Sequence, residues 1–103
     1  MNENIYLNEE RNDGRTIHLY FKGLIGLYAA YGQSAYILSK QTKVSPSYSD
    51  EMQMPVVVIN LAHYELLKER LEVVREAKNY RCLKVEEAVN SQEYEEWAQG
   101  LKG

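Results

Sequence analysis

Hydrophobic residues in this chain recur with two different periods, and the switches between them limit the possible folds more than any single motif does. A period of two places successive side chains on opposite faces of a strand, whereas spacings of three and four follow one side of a helix. The first pattern predicts strands near residues 4–10, 15–22, 42–50, 55–59 and 80–86. The second predicts helices at residues 24–40, 61–79 and 91–101.

This order of elements, β-β-α-β-β-α-β-α, predicts an α/β (α+β) fold in which helices pack on a mixed β-sheet. A length of 103 residues supports one core, so we expect a single domain over residues 1–103. Its body is residues 16–87, residues 1–15 supply the first strand of a hairpin, and residues 91–101 form a C-terminal helix.

Local signals support several of these elements. Asp13-Gly14 favours the tight turn of a hairpin. Pro46 is compatible with an edge strand, whereas the β-branched run Val56 to Ile59 is typical of a buried one. Asn60 can cap the helix that follows. The residues that we expect in the core are Leu19, Phe21, Leu27, Tyr31, Leu38, Val57, Ile59, Leu67, Leu71, Val74 and Leu83.

Composition restricts the class of protein. Hydrophobic residues make up 45% of the chain, as in globular domains. The polar start of the chain differs from a secretory signal, and its longest aliphatic run is too short to cross a bilayer. Cys82 is the only cysteine, so no internal disulfide can form. We therefore expect a cytoplasmic protein without a membrane partner.

Charge is distributed unevenly along the chain. The net charge is −3, but residues 16–84 contain nine Lys or Arg and six Asp or Glu, and the two ends are acidic. This pattern fits ordinary surface solvation. It also leaves open weak nucleic-acid binding, for which Lys22, Lys40 and Lys43 are the candidate phosphate contacts.

The segment Gly26-Leu27-Tyr28-Ala29-Ala30-Tyr31-Gly32-Gln33-Ser34-Ala35 resembles the start of the first helix in the N-terminal, mismatch-recognition domain of MutS proteins. Residues 54–64 resemble that family's next strand and helix, and residues 77–87 resemble the turn and strand that follow. In their order and spacing, these segments place the resemblance over about residues 16–87. The resemblance implies a free-standing relative of one MutS domain.

In that family a Phe stacks on the mismatched base and a Glu two positions later hydrogen-bonds it. The resemblance aligns these positions with Leu27 and Ala29. Leucine has no π-face for stacking, and alanine has no hydrogen-bonding side chain. We therefore expect that this chain does not read mismatches in the family's manner.

No set of residues in the sequence predicts catalysis, a cofactor or a metal site. His18 and His63 are the only histidines, and neither has a ligand or catalytic partner at a recognisable spacing. Cys82 is most simply a small core residue. The paired glutamates at 86–87 and 93–96 are typical of solvated helix starts.

Tyrosine is unusually frequent, with nine residues against one Phe and one Trp. Tyrosine rings can cover a sheet while their hydroxyl groups contact solvent, or they can form a binding surface, for which Tyr20 and Tyr36 are the candidates. The sequence therefore predicts a non-enzymatic interaction module that binds a protein partner or itself. The alternative is a nucleic-acid-binding accessory protein related to mismatch repair.

Overall fold

The computed structural model describes residues 2–23 and 25–102, with side chains from Ile5 onward. The helices within these residues are α1 (Asn2–Glu10), α2 (Gly32–Gln41), α3 (Leu61–Arg70) and α4 (Ser91–Lys102). The strands are β1 (Thr16–Lys22), β2 (Leu27–Tyr31), β3 (Ser47–Ser49), β4 (Met54–Asn60), β5 (Glu72–Ala77) and β6 (Tyr80–Lys84). The chain is therefore an α+β protein.

The six described strands form one sheet in the order β3-β4-β2-β1-β6-β5. Every pairing is antiparallel, so the predicted mixed sheet is wrong. The reason is that β1-β2, β3-β4 and β5-β6 are three hairpins lying side by side, each followed by a helix. A short loop joins two strands in antiparallel order, whereas the parallel pairs of a mixed sheet need longer crossover connections.

The two faces of the sheet are covered unequally. On one face α2 and α3 bury the main core, which includes Leu19, Ala30, Val57 and Leu83 from four strands. Helix α4 packs beside α2 and adds Trp97 to the edge of this core. On the other face α1 covers a smaller cluster of Ile5, Ala29, Tyr31 and Met52.

Four predicted strands and the C-terminal helix are present. The predictions at 15–22, 55–59 and 80–86 correspond to β1, β4 and β6. Strand β4 lies inside the sheet as predicted, but its burial alternates, and Val58 is 38% exposed. The predicted strand 42–50 is shortened to β3, at one edge. Asn60 caps α3, since its Oδ1 accepts a hydrogen bond of 2.9 Å from the amide of His63.

The predicted N-terminal strand is wrong, because residues 2–10 are the helix α1. Ile5, Asn8 and Glu9 contact the rest of the chain from one side of this helix, at spacings of three and four. Two of these three anchors are polar, so hydrophobic periodicity does not detect them. The Asp13-Gly14 turn joins α1 to β1 and is not the loop of a hairpin.

The predicted helix 24–40 is correct only in its second half. Leu24 lies outside the described residues, and residues 27–31 form β2, which leads directly into α2. Residues 28–31 are buried on both faces of the sheet, under α2 on one and α1 on the other. A strand buried on both faces is hydrophobic throughout and loses its period of two.

The predicted helix 61–79 ends early, at Arg70, and residues 72–77 form the edge strand β5. This strand pairs with β6 through a two-residue loop at Lys78-Asn79 and carries a bulge between Val73 and Arg75. Its side chains are mostly exposed, so neither hydrophobic period is visible in it.

The predicted core is largely confirmed. Leu19, Leu38, Val57, Ile59, Leu67, Leu83 and Tyr31 are buried. Phe21, Leu27 and Leu71 are partly buried. The prediction that Val74 is in the core is wrong, because Val74 lies in the β5 bulge and is 53% exposed.

Candidate binding face of the sheet

The residues proposed for binding do not form one surface. Tyr20 and Lys22 lie at alternate positions of β1 and face the side of the sheet that α1 partly covers. Tyr36 and Lys40 lie on α2, where the Tyr36 ring packs 5.0 Å from the ring of Trp97 in α4. Lys43 is exposed in the loop after α2. These residues were selected because tyrosine and lysine are suited to binding, but the fold places them on different surfaces.

Four rings on the α1 side of the sheet form a continuous series, called here the aromatic row: His18, Tyr80, Tyr20 and Tyr31. The centroids are 5.9 Å apart between His18 and Tyr80 and 5.6 Å apart between Tyr80 and Tyr20. Tyr20 lies 6.2 Å from Tyr31. The row crosses β6, β1 and β2 because antiparallel pairing brings alternate residues of neighbouring strands onto one face.

Hydrogen bonds fix three rings of the aromatic row. The Tyr80 hydroxyl lies 2.5 Å from Nδ1 of His18, and the Tyr20 hydroxyl accepts a bond of 2.8 Å from the Asn8 amide. Burial raises the pKa of Tyr20 to about 12, and it also raises the pKa of Tyr80. Both phenols are therefore neutral near pH 7 and present no charge to a ligand.

Cations surround the aromatic row. The Lys22 ammonium lies 5.6 Å from the centroid of Tyr31, and the Arg75 guanidinium lies 5.9 Å from that of Tyr80. Lys84 is exposed two residues beyond Cys82 on the same face of β6, opposite Glu72 of β5. The β1, β5 and β6 positions on this face thus carry three cations and one carboxylate.

The cover over this face is incomplete. Helix α1 reaches Ala29 and Tyr31 through Ile5, the Met52 carbonyl through the Tyr6 hydroxyl, and Tyr20 through Asn8. At the β5-β6 end, Tyr80 remains partly exposed, and Arg75 and Lys84 are exposed. We call this region, comprising His18, Tyr20, Lys22, Arg75, Tyr80 and Lys84, the open face.

His18 and Cys82 are directly opposite each other in the β1-β6 pair, a proximity that the sequence could not reveal. A cysteine nucleophile needs a thiolate, often beside a protonated imidazole. Here burial raises the pKa of the Cys82 thiol and lowers that of the His18 imidazole. Both shifts favour the neutral forms, which is the opposite of an activated pair.

The two positions aligned with mismatch reading lie on the same side of β2. Ala29 is 2% exposed beneath Ile5 of α1, and Leu27 is partly buried at the start of the strand. Ala29 therefore has no access to a ligand while α1 is in place.

A buried polar cluster joins α1 to the start of α2, and no pattern in the sequence predicted it. Glu9 accepts hydrogen bonds from the backbone amide and the hydroxyl of Ser34, at 2.9 and 2.5 Å. The Ser34 hydroxyl in turn accepts from the amide of His18 at 2.9 Å. Tyr31 offers α2 no side-chain cap, so Glu9 supplies one from another helix. Burial raises the Glu9 pKa to about 7.

A groove of about 460 Å³ lies near the C-terminal ends of α2 and α3. Its walls carry Lys40 and Arg70 but also Glu86 and Glu87, so no sign of charge dominates. Arg70 donates to the carbonyl and side-chain oxygens of Gln41, at 3.0 and 3.3 Å. The groove selects no ligand class by charge.

Among the described side chains, those of residues 5–23 and 25–102, no three His, Cys, Asp or Glu lie close enough together to hold a metal ion. His63 lies in the first turn of α3, apart from His18. In the same part of the chain, no helix combines the length and apolar character needed to cross a bilayer. No family model, curated protein or solved structure matches the chain.

Proposed function

We propose that this chain is a non-enzymatic binding module and that the open face is its binding surface. The observation that carries the proposal is the partly exposed aromatic row, which has Lys22 beside its Tyr31 end and Arg75 beside Tyr80, a ring that stays partly exposed at the β5-β6 end. Tyrosine and arginine are the side chains most enriched at binding surfaces, because they combine a large contact area with directional polar groups.

The other tyrosine-rich region supports binding less well. The Tyr36 ring already packs against Trp97 and Tyr94 of α4, and Lys40 lies 5.3 Å from its centroid. These contacts hold α4 against α2. Tyr36 therefore has a structural role. Of the two tyrosines that the sequence suggested for binding, Tyr20 is the one that lies on the proposed binding surface.

A relationship to the mismatch-recognition domain of MutS proteins remains part of this proposal. It rests on the order of similar segments over residues 16–87. Because Leu27 and Ala29 replace the Phe and Glu that contact the mismatched base in that family, such a relative would bind through another surface. The open face offers one that does not depend on either position.

The partner expected from the sequence is a protein or a second copy of the chain. Exposed apolar side chains favour this possibility, since Val58 and Val74 are 38% and 53% exposed on β4 and β5. The cations of the open face favour the other expected partner, a nucleic acid.

Amide resonances of isotope-labelled protein can test which surface binds. The protein is measured over a concentration series for self-association, then with heparin, with poly-glutamate and with a short oligonucleotide. We expect shifts in residues 18–22 and 75–84 with at least one of these probes. Shifts confined to α2 and α4, or to the groove near Arg70, would contradict the proposal.

A matched pair of variants controls for charge alone. Arg75→Glu changes an exposed cation on the open face, and Lys40→Glu makes the same change in charge on α2. Only Arg75→Glu should weaken the binding that the resonances detect. Equal loss in both variants would point to general electrostatic attraction.

A further inference from the structure

Resting on the proposed function, we further infer that the open face binds single-stranded nucleic acid. Bases would stack on Tyr80 and its neighbours in the aromatic row, and phosphates would meet Lys22, Arg75 and Lys84. The inference assigns single-stranded nucleic acid as the partner of the open face. Such binding does not require mismatch reading through Leu27 and Ala29.

Stacking is the first element of the inference. Sheet proteins that bind single strands present aromatic side chains from neighbouring strands, onto which successive unpaired bases stack. Tyr80 and Tyr20 have this arrangement on β6 and β1, with ring centroids 5.6 Å apart. Tyr80 lies toward the uncovered end, so a base can reach its ring when the Arg75 side chain moves outward.

Arg75 is placed to take part in that contact. Its guanidinium lies over the Tyr80 ring at 5.9 Å, and the side chain extends from an exposed edge strand. A base inserted between the two would stack on the ring and on the planar guanidinium together. Arginine is suited to this role because it stacks, carries a permanent charge and donates to phosphate.

Charge is the second element. On the open face Lys22 and Arg75 lie beside rings of the aromatic row. Lys84 has two carboxylates near it, Glu72 directly opposite on β5 and Asp13, which interacts electrostatically with both Lys84 and His18. Much of the negative charge of the chain is elsewhere, since Glu93, Glu95 and Glu96 lie on α4, which packs beside α2. A polyanion lying along the rings therefore meets Lys22 and Arg75, although the net charge of the protein is −3.

Single strands fit this surface better than duplexes do. Bases in a duplex are stacked on one another, so a duplex offers the rings no free base plane and offers the cations only phosphates. An acidic peptide would satisfy the cations but would leave the rings without stacking partners. The combination of rings and cations on one face thus favours unpaired bases.

Fluorescence anisotropy with labelled oligonucleotides of about ten nucleotides, a typical length for such sites, tests the inference. The arms are single-stranded DNA, single-stranded RNA, the matched duplex, and poly-glutamate as competitor. We expect either single strand to bind more tightly than the duplex, with affinity falling as salt rises.

Three variants define the site. Tyr80→Leu keeps an apolar side chain but removes the π-face, and it should weaken single-strand binding roughly 5- to 150-fold if one base is lost. Arg75→Glu should weaken binding and make it less dependent on salt. Lys40→Glu, with the same charge change on α2, should bind as the parent does. A thermal melt of Tyr80→Leu checks that the sheet remains folded.

The outcomes separate this inference from the proposed function. Equal binding of single strands and duplex, or an unchanged affinity in folded Tyr80→Leu, overturns the stacking site. Open-face resonance shifts with poly-glutamate or concentration, but none with oligonucleotides, overturn the inference and leave the binding module standing. An open face that responds to no probe overturns both.

Discussion

Among single residues, Glu9 links the stability of the fold to pH. Its pKa is raised from 4.5 to about 7 because the carboxyl is buried, so the folded state holds the proton more tightly than the unfolded state does. Protonated Glu9 stabilises the folded state fully below about pH 4.5, and this stabilisation is lost as the pH rises through about 7. The contribution of Glu9 to the free energy of unfolding should fall by roughly 3 kcal/mol over this range.

Urea titrations at several pH values measure this effect by comparing the parent with Glu9→Gln. In the Glu9→Gln variant, the free energy of unfolding should lose the part of its pH dependence that comes from Glu9. His18 acts in the opposite direction, because its lowered pKa costs stability as the pH falls, and it is present in both proteins. Glu10→Gln changes an exposed neighbour and serves as the control. Identical pH profiles for the parent and Glu9→Gln would refute the linkage.

Two leucines near the end of α3 differ in how much they contribute to the core. Leu67 is 1% exposed, whereas Leu71 is partly buried at the junction between α3 and β5. Leu67→Ala should lower the free energy of unfolding by roughly 2–5 kcal/mol, and Leu71→Ala by less, because less apolar contact is lost. Urea denaturation of both variants tests this order. A larger cost at Leu71 would show that the α3-β5 junction is more tightly packed than described.

At the scale of elements, the start of α2 depends on a glycine. Gly32 has φ +60°, and an added Cβ would lie 3.1 Å from Cγ of Glu9 and 3.3 Å from Sδ of Met54. Gly32→Ala should therefore destabilise the protein by roughly 1 kcal/mol or more, through backbone strain and displacement of the Glu9 cap. The midpoint of thermal unfolding measures the loss.

Gly100 provides the matched control for this substitution. It lies within α4, and a Cβ there would meet nothing within 4 Å. Gly100→Ala should be neutral or should stabilise the protein by up to roughly 1 kcal/mol, since alanine favours helix. A stabilising Gly32→Ala would contradict the left-handed conformation described at the junction of β2 and α2.

For the whole molecule, we predict no preference for mismatched over matched duplex DNA. Leu27 cannot stack on a base, and Ala29 is buried under α1 and lacks a hydrogen-bonding group. Attraction through surface cations would treat both duplexes alike. Competition between a single-mismatch duplex and its perfect counterpart, near physiological salt, measures the difference. A reproducible tenfold preference for the mismatch would refute the prediction.

Sequence patterns predicted those elements whose signals are local. The β-branched run of β4 specified a buried strand, and Asn60 marked the start of α3. The candidate site was predicted less completely. Tyr20 and Lys22 were selected as side-chain types suited to binding, but Arg75 and Tyr80 were not. Only the pairing of β6 with β1 brings Tyr80 beside Tyr20, and only the β5-β6 hairpin adds Arg75 to the same face.

The sequence by itself thus determined an α+β class, most of the core, and the local signals of the Asn60 cap and of the β-branched run in β4. Tertiary structure decided the antiparallel order of the sheet, the helix at residues 2–10 and the strand at 72–77. The physical reason is that these features are stabilised by contacts between distant residues. Glu9 meets Ser34 across 25 positions, and His18 meets Tyr80 across 62. No local period or propensity records such contacts, and the open face exists only because of them.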